Sequence, residues 1–326
     1  MVAVYECVVG VATAAGRQQP HARLASVHQQ FSSGGCNCAM ASEGPEFSYD
    51  AAYWQVTQAM KEAYSTHGYI IVRKMFSTKE VQKVKTALED PEGVTMHSYG
   101  RNDGKDRFNK MVLWNHPGRD ITGMLARTQR IAGTAEQMMG GEEIYHYHTK
   151  LIMKEAHTGG TFVWHQDYGY WYNNGCMAPE MISVFIPMDD ADCENGCLQV
   201  LPGSHKFGRI DHLKMGEQQG ADPERVEQAL KKLKHVYVEM TAGDVLFIHC
   251  NLLHTSAANI SPRRRWVFIV AFNKRKNEPY KNIQHLHYTP LDKVDDSALL
   301  ACDVVRELDG KAFLNYNNNK APHIIH

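Results

Sequence analysis

Three residues in this chain have the types and the spacing to hold a metal ion. His165 and Asp167 lie in "WHQDYGYW", and a histidine follows in "HCNLLHTS". Side chains alternate in an extended strand, so His165 and Asp167 project from one face while Gln166 points away. His254 is the better candidate for the third donor, with His249 its competitor. Two imidazoles and one carboxylate on one side of an ion leave up to three positions open. That suits a non-haem Fe(II) centre, which must also take a bidentate cosubstrate and O2. Zinc favours closed or nearly closed tetrahedra. A His-x-Asp pair alone is short and common, and an apolar strand that happens to carry two polar side chains would look the same.

Arg265 adds an anion site. It lies eleven residues after His254, at the head of a stretch that is apolar from Trp266 to Phe272. A desolvated guanidinium without an anionic partner is costly, and its planar fork suits a carboxylate held by two hydrogen bonds. Its neighbours Arg263 and Arg264 read as a basic turn. Upstream, His148 and Lys150 share one face of the strand "IYHYHTKLIMKE". Lys150 with Tyr168, Tyr170 and Trp171 would form a small pocket with one cation among aromatics. Such a pocket suits a compact carboxylate-bearing metabolite better than a long acyl chain. The plainer alternative is a solvent-facing lysine beside ordinary core aromatics.

Composition narrows the partners. Lys and Arg number 35 against 36 Asp and Glu, so no general field draws nucleic acid or an anionic membrane. No apolar run reaches the roughly 18 residues of a membrane span. No obligate protein partner is evident. The 8 cysteines are irregularly spaced and follow no convincing secretory signal, which favours reduced thiols in a cytoplasmic setting. Neither Cys36-x-Cys38 nor Cys193-x3-Cys197 has zinc-ribbon spacing. Residues 1–44 differ from the rest: they are Ser- and Arg-bearing, with no acidic residue between Glu6 and Glu43. They are expected to be a disordered or targeting-like segment, with organelle delivery as an alternative to the cytoplasm.

The positioning elements come in two blocks. Helical spacing is expected in "SYDAAYWQVTQAMKEAYSTHG", followed by the buried strand "YIIVRKMF". A capping box at Ser77 to Glu80 opens a helix to about Leu88, and a third helix is expected over Ile121 to Met139. From Glu143 the texture turns to short strands parted by turn signals such as Asn195-Gly196, with His254 ending the strand "DVLFIHCNLLH". One helix interrupts them, in "DPERVEQALKKLK", with Asp222 as N-cap. The insert "MGEQQGADPERVEQALKKLK" reads as a lid or as a surface helix. The expected fold is mainly β: a double-stranded β-helix (jelly roll, cupin-like) flanked by N-terminal α-helices. Residues 45–326 form one domain in this reading, with the jelly-roll core at about 143–285.

The succession of His165-x-Asp167, "NGCLQVLPGSH", "AGDVLFIHCNLLHTSAANIS" and Arg265 resembles the phytanoyl-CoA dioxygenase family, closest in look to its ectoine and proline hydroxylase-like branch. "HGYIIVRKMFSTKEV" resembles that family's opening strand and helix, and the likeness covers roughly residues 50–285. The resemblance implies Fe(II) held by His165, Asp167 and His254. It implies 2-oxoglutarate gripped through Arg265 and Ser256, with His148 and Thr149 as further cosubstrate contacts. Lys150, Trp171 and Tyr168 become substrate contacts. In ectoine hydroxylases a Gln and an Arg stand where this chain has His148 and Lys150. The implied reaction consumes O2 and 2-oxoglutarate, releases succinate and CO2, and oxidises an unactivated C–H bond, with ascorbate as reductant in vitro. Halogenating relatives lack the carboxylate that Asp167 supplies, so hydroxylation is the expected outcome. Oxidative cyclisation or desaturation is the alternative within that chemistry. From other classes, the competitors are a cupin-like metal protein without 2-oxoglutarate and a non-catalytic jelly-roll binding module.

Overall fold

The computed structural model describes residues 45–281 and 287–313. The segment 1–44 lies outside the described residues. The chain opens with β1 (Glu46–Ser48), α1 (Gln58–His67), β2 (Tyr69–Arg73) and α2 (Thr78–Leu88). Next come β3 (Tyr99–Asn102), β4 (Phe108–Asn115), α3 (Ile121–Arg127) and α4 (Thr134–Met138). The strand-rich part runs β5 (Ile144–Lys154), β6 (Phe162–His165), α5 (Asp167–Asn173), β7 (Met181–Pro187) and β8 (Leu198–Val200). The insert holds β9 (His212–Met215), β10 (Gln218–Ala221) and α6 (Pro223–Lys232). Then follow β11 (Val236–Val238), β12 (Val245–His249), β13 (His254–Ser256), β14 (Arg265–Lys274), α7 (Ala298–Ala301) and β15 (Ala312–Phe313).

Two sheets make the jelly roll. The larger has the order β1-β2-β12-β7-β14-β5-β4-β15, with β3 attached to β4, and the smaller runs β11-β8-β13-β6. One face of the large sheet supplies Val112, Leu151, Val184, Phe247, Phe268 and Val270 to a core that also contains Met60, Val84 and Leu125 of the helices. The opposite face supplies Ile152, Phe185, Leu246, Val267 and Ile269, which meet Val200 and Val238 of the small sheet. Alternation along each strand therefore divides side chains between a helix-backed layer and the interior of the roll. Strands outside 143–285 belong to the large sheet too, since β2 pairs with β12 and β4 with β5.

Several local expectations need correction. The first helix begins at Gln58, after the N-cap Thr57, so Tyr53 lies outside it and is 82% exposed. The expected helix over Ile121 to Met139 is broken at Thr128, whose ψ of 147° is extended and whose backbone forms a bridge to Val294. The strand "DVLFIHCNLLH" ends at His249, and His254 opens the separate β13. "WHQDYGYW" is no continuous strand: β6 stops at His165 and α5 begins at Asp167. The insert is a hairpin followed by a helix, with Asp222 capping α6 as expected.

Candidate metal centre and anion pocket

Cross-strand pairing brings the two imidazoles together. His254 of β13 pairs directly with His165 of β6, and their ring centroids lie 4.1 Å apart. Gln166 keeps an extended backbone (φ −116°, ψ 135°), so the alternation that places Asp167 beside His165 survives the change from strand to helix. One donor atom from each of His165, Asp167 and His254 lies within 4.8 Å of the others. Both histidines donate Nδ1–H to a carbonyl two residues upstream, His165 to Val163 at 2.7 Å and His254 to Leu252 at 2.9 Å. A carbonyl only accepts, so each Nε2 lone pair is left for an ion. Burial holds both imidazoles below their ordinary range, and they are neutral near pH 7. The Ser183 hydroxyl donates to Asp167 Oδ2 at 2.6 Å, while Oδ1 lies 3.9 Å from His254 Nε2. This donor set, neutral nitrogens with one carboxylate oxygen and an open side, fits a divalent first-row metal.

His249, the competing histidine, stands elsewhere. At the end of β12 it packs against Tyr64 and His205, with ring centroids at 6.0 and 5.2 Å, and its Nδ1 accepts the Asn251 amide. Burial pushes it down to about 4.

Arg265 enters the interior of the roll and is 6% exposed. Among the described residues it forms no ion pair; Nη2 donates to the Gly196 carbonyl at 2.6 Å and Nε has no partner. Desolvation pulls its guanidinium down to about 10, opposed only by Cys197 and Asp189. Gly196 reaches this position at φ +78°, with the Ala257 carbonyl 2.4 Å from where a Cβ would stand, so the glycine of "NGCLQV" is required. Arg263 and Arg264 are surface residues paired with Asp192, Glu194, Glu89 and Asp189.

Sequence reasoning missed Lys154. It is fully buried, is the cross-strand partner of Arg265, and donates to Ser256 Oγ at 2.8 Å and to the Ala257 carbonyl. Burial first, then the charge of Arg265, holds its ammonium well below the lysine range. Two buried cations beside a serine hydroxyl make a pocket whose charge an external anion would balance. The signal was in the sequence: positions 148, 150, 152 and 154 alternate on one strand face, and a lysine ends that row.

The remaining residues divide. His148 lies 5.8 Å from the Trp171 ring, which also meets Tyr147 at 5.5 Å. Lys150 is partly buried and, among the described residues, forms no hydrogen bond or ion pair. Desolvation lowers its ammonium, and the principal counter-effect is Asp167 of the metal centre. Tyr170 stands 5.7 Å from His165 and donates its hydroxyl to the Gln219 carbonyl. Tyr168 is 3% exposed and its hydroxyl is engaged by the Cys176 carbonyl, leaving no free donor for a ligand. Thr149 is not brought to the site. It alternates with Lys150 onto the face that carries Leu151 and Met153, and its hydroxyl bonds His146 Nε2. Gln166, read as merely pointing away, is fully buried. It donates to the Gly208 and Asn251 carbonyls and accepts the Ile210 amide.

A jelly roll with this open donor triad beside a buried cationic pocket defines a non-haem iron dioxygenase of the 2-oxoglutarate-dependent kind. The phytanoyl-CoA dioxygenase (PhyH) family model matches residues 64–267, and the chain belongs to that family. L-proline trans-4-hydroxylase of Streptomyces griseoviridis is 27% identical over 67% of this chain and 87% of that protein. Ectoine dioxygenase of Bordetella parapertussis is 28% identical over 66% of this chain and 75% of that protein. The crystal structure of EctD from S. alaskensis with bound Fe covers 78% of this chain and 90% of that one, at TM-score 0.62 and 21% identity. The carbocyclase SnoK from nogalamycin biosynthesis covers 74% and 95%, at TM-score 0.55 and 21% identity. These two likenesses show a shared fold.

Proposed function

We propose that the protein hydroxylates an unactivated C–H bond of a small, amino-acid-like carboxylate. Substrate, O2 and 2-oxoglutarate become hydroxylated substrate, succinate and CO2, which balances. The observation that carries the substrate class is Lys150, an ammonium without a hydrogen-bond partner among the described residues, on the same strand face as His148 and within electrostatic reach of Asp167 of the metal triad. The proline and ectoine chemistry of the relatives supports the same class.

In this reading His165, Asp167 and His254 hold the iron, and bound iron supplies the oxidative chemistry. Ser183 holds Asp167 so that one oxygen faces the metal. Arg265, Lys154 and Ser256 bind the distal carboxylate of 2-oxoglutarate, and Lys150 binds the substrate carboxylate. Aromatic walls limit the water around them. Residues 45–326 act as one oxygenase domain. A cytoplasmic setting is part of this reading, and the irregular cysteine spacing agrees with it.

The test is succinate release with Fe(II), ascorbate and 2-oxoglutarate over amino acids and their N-substituted derivatives, with product masses. Gain of one oxygen supports the proposal. Loss of two hydrogens supports the cyclase or desaturase alternative. Turnover independent of 2-oxoglutarate, or unaffected by Arg265→Ala, supports the cupin-like alternative.

A further inference from the structure

We propose that His212 is a positioning residue for the metal centre, and that through it docking of the β9–β10 hairpin is energetically coupled to metal binding. The inference rests on the metal-centre reading above. His212 lies outside the donor set, yet its Nε2 accepts the backbone N–H of Gln166 at 3.0 Å, the residue between the two donors His165 and Asp167. Its Nδ1–H donates to the Ile210 carbonyl at 2.9 Å, which fixes both the tautomer and the ring plane. The ring also lies directly over the first turn of α5. A Cβ on Gly169 would stand 2.1 Å from His212 Cε1, so the helix that starts with Asp167 takes its seat against this imidazole.

Other contacts bind the same segment to the same place. The Gln166 side chain grips Gly208 and Ile210, and on its far side the Asn251 carbonyl ahead of His254. Tyr170 donates to the Gln219 carbonyl, and the Val163 amide donates to Gln218 Oε1. Beneath them Ile210, Ala221, Val226 and Leu253 form an apolar cluster with Trp164. Trp164 precedes His165 and Leu253 precedes His254, so the hairpin segment rests on the neighbours of every donor. Undocking would strip the Gln166 amide and side chain of their partners at Gly208, Ile210 and His212, leaving only the Asn251 carbonyl, and the donor geometry would loosen with it. Coupling of this kind is reciprocal: what docking does for metal affinity, the metal does for docking.

The experiment uses the apo protein with Mn(II) alone as probe. Calorimetry measures affinity, and hydrogen exchange follows the amides of residues 208–221. In the wild type, Mn(II) should slow exchange across the hairpin. His212→Phe fills the space but cannot accept the Gln166 amide. It should weaken Mn(II) binding by about 10- to 100-fold and abolish most of that protection. His212→Gln, which keeps an acceptor, should recover part of both. Tyr170→Phe, which unties only the Gln219 carbonyl, is the second variant should His212→Phe not fold, and it should weaken binding and speed hairpin exchange in parallel. Unchanged Mn(II) affinity in the variant that folds, or hairpin exchange indifferent to Mn(II) in the wild type, overturns the coupling. A wild type that binds no Mn(II) overturns the metal-centre reading itself.

Discussion

Lys154→Met isolates the charge that the anion pocket holds in reserve. Lys154 and Arg265 are cross-strand partners, both buried, and among the described residues neither has a carboxylate partner. In the apo protein the substitution removes a desolvated ammonium and its repulsion with Arg265. It also strips a donor from Ser256 Oγ and the Ala257 carbonyl. These effects oppose one another and are of similar size, so stability should change by less than about 2 kcal/mol in either direction. The effect on ligand is one-sided. Truncating one partner of a buried charge pair costs about 2–5 kcal/mol, so affinity for 2-oxoglutarate should fall by roughly 30- to 4,000-fold. Titrating 2-oxoglutarate into Mn(II)-loaded protein under nitrogen measures this, with 2-oxobutyrate, which lacks the distal carboxylate, as the control. The wild type should strongly prefer 2-oxoglutarate, and Lys154→Met should shrink that preference with little change for 2-oxobutyrate. Equal weakening of both ligands refutes the assignment, as does retained 2-oxoglutarate affinity in a variant that has lost stability.

Three further outcomes are expected. Ser183→Ala removes the hydrogen bond to Asp167 Oδ2 and should lower Mn(II) affinity by about tenfold, the worth of one charge-assisted bond; an unchanged calorimetric Kd argues against orientation by Ser183. Lys150→Met should raise KM for the carboxylate substrate by at least about tenfold with 2-oxoglutarate affinity preserved, whereas loss of cosubstrate binding would move Lys150 into the other pocket. His146, 8% exposed, is pushed by burial down to about 3 from an unfolded value of 6.5. As pH falls below 6.5 the unfolded chain takes up that proton and the folded chain does not. Stability should therefore drop by about 1.4 kcal/mol per pH unit from this residue, and His146→Gln should show a shallower slope in melts between pH 7 and 5.

The metal triad was legible because His165 and Asp167 obey strand periodicity and because Arg265 heads an apolar run, where a buried guanidinium calls for an anion. His254 was the better candidate on the sequence, but the structural reason that it and not His249 reaches the site was not legible. It depends on the turn Cys250–Leu253, which ends β12 and starts β13 on the other sheet, and four intervening residues do not announce a change of sheet. The break at Thr128 escaped for a similar reason. Apolar spacing continues through it, while the bridge to Val294 that extends Thr128 comes from far along the chain. Thr149 was misplaced by adjacency: a residue between two interior positions on a strand faces the other way.

Lys154 and Gln166 show where polar residues in this chain carry meaning that periodicity underrates. Each looked like a bystander, one a lysine near a strand end, the other the variable middle of His-x-Asp. Burial changes both. A fully buried lysine beside a buried guanidinium, with no carboxylate partner among the described residues, makes a cationic pocket that the carboxylate of a bound ligand would balance. A fully buried amide with every polar atom engaged joins the β6–α5 corner, the loop before β9 and the approach to β13, the three segments that converge on the donors. Gln166 therefore ties together the segments that carry the three donors. Gln166→Leu should damage metal binding while leaving all three donors in the sequence. A Mn(II) affinity equal to wild type in a folded Gln166→Leu protein would show that the donors position themselves.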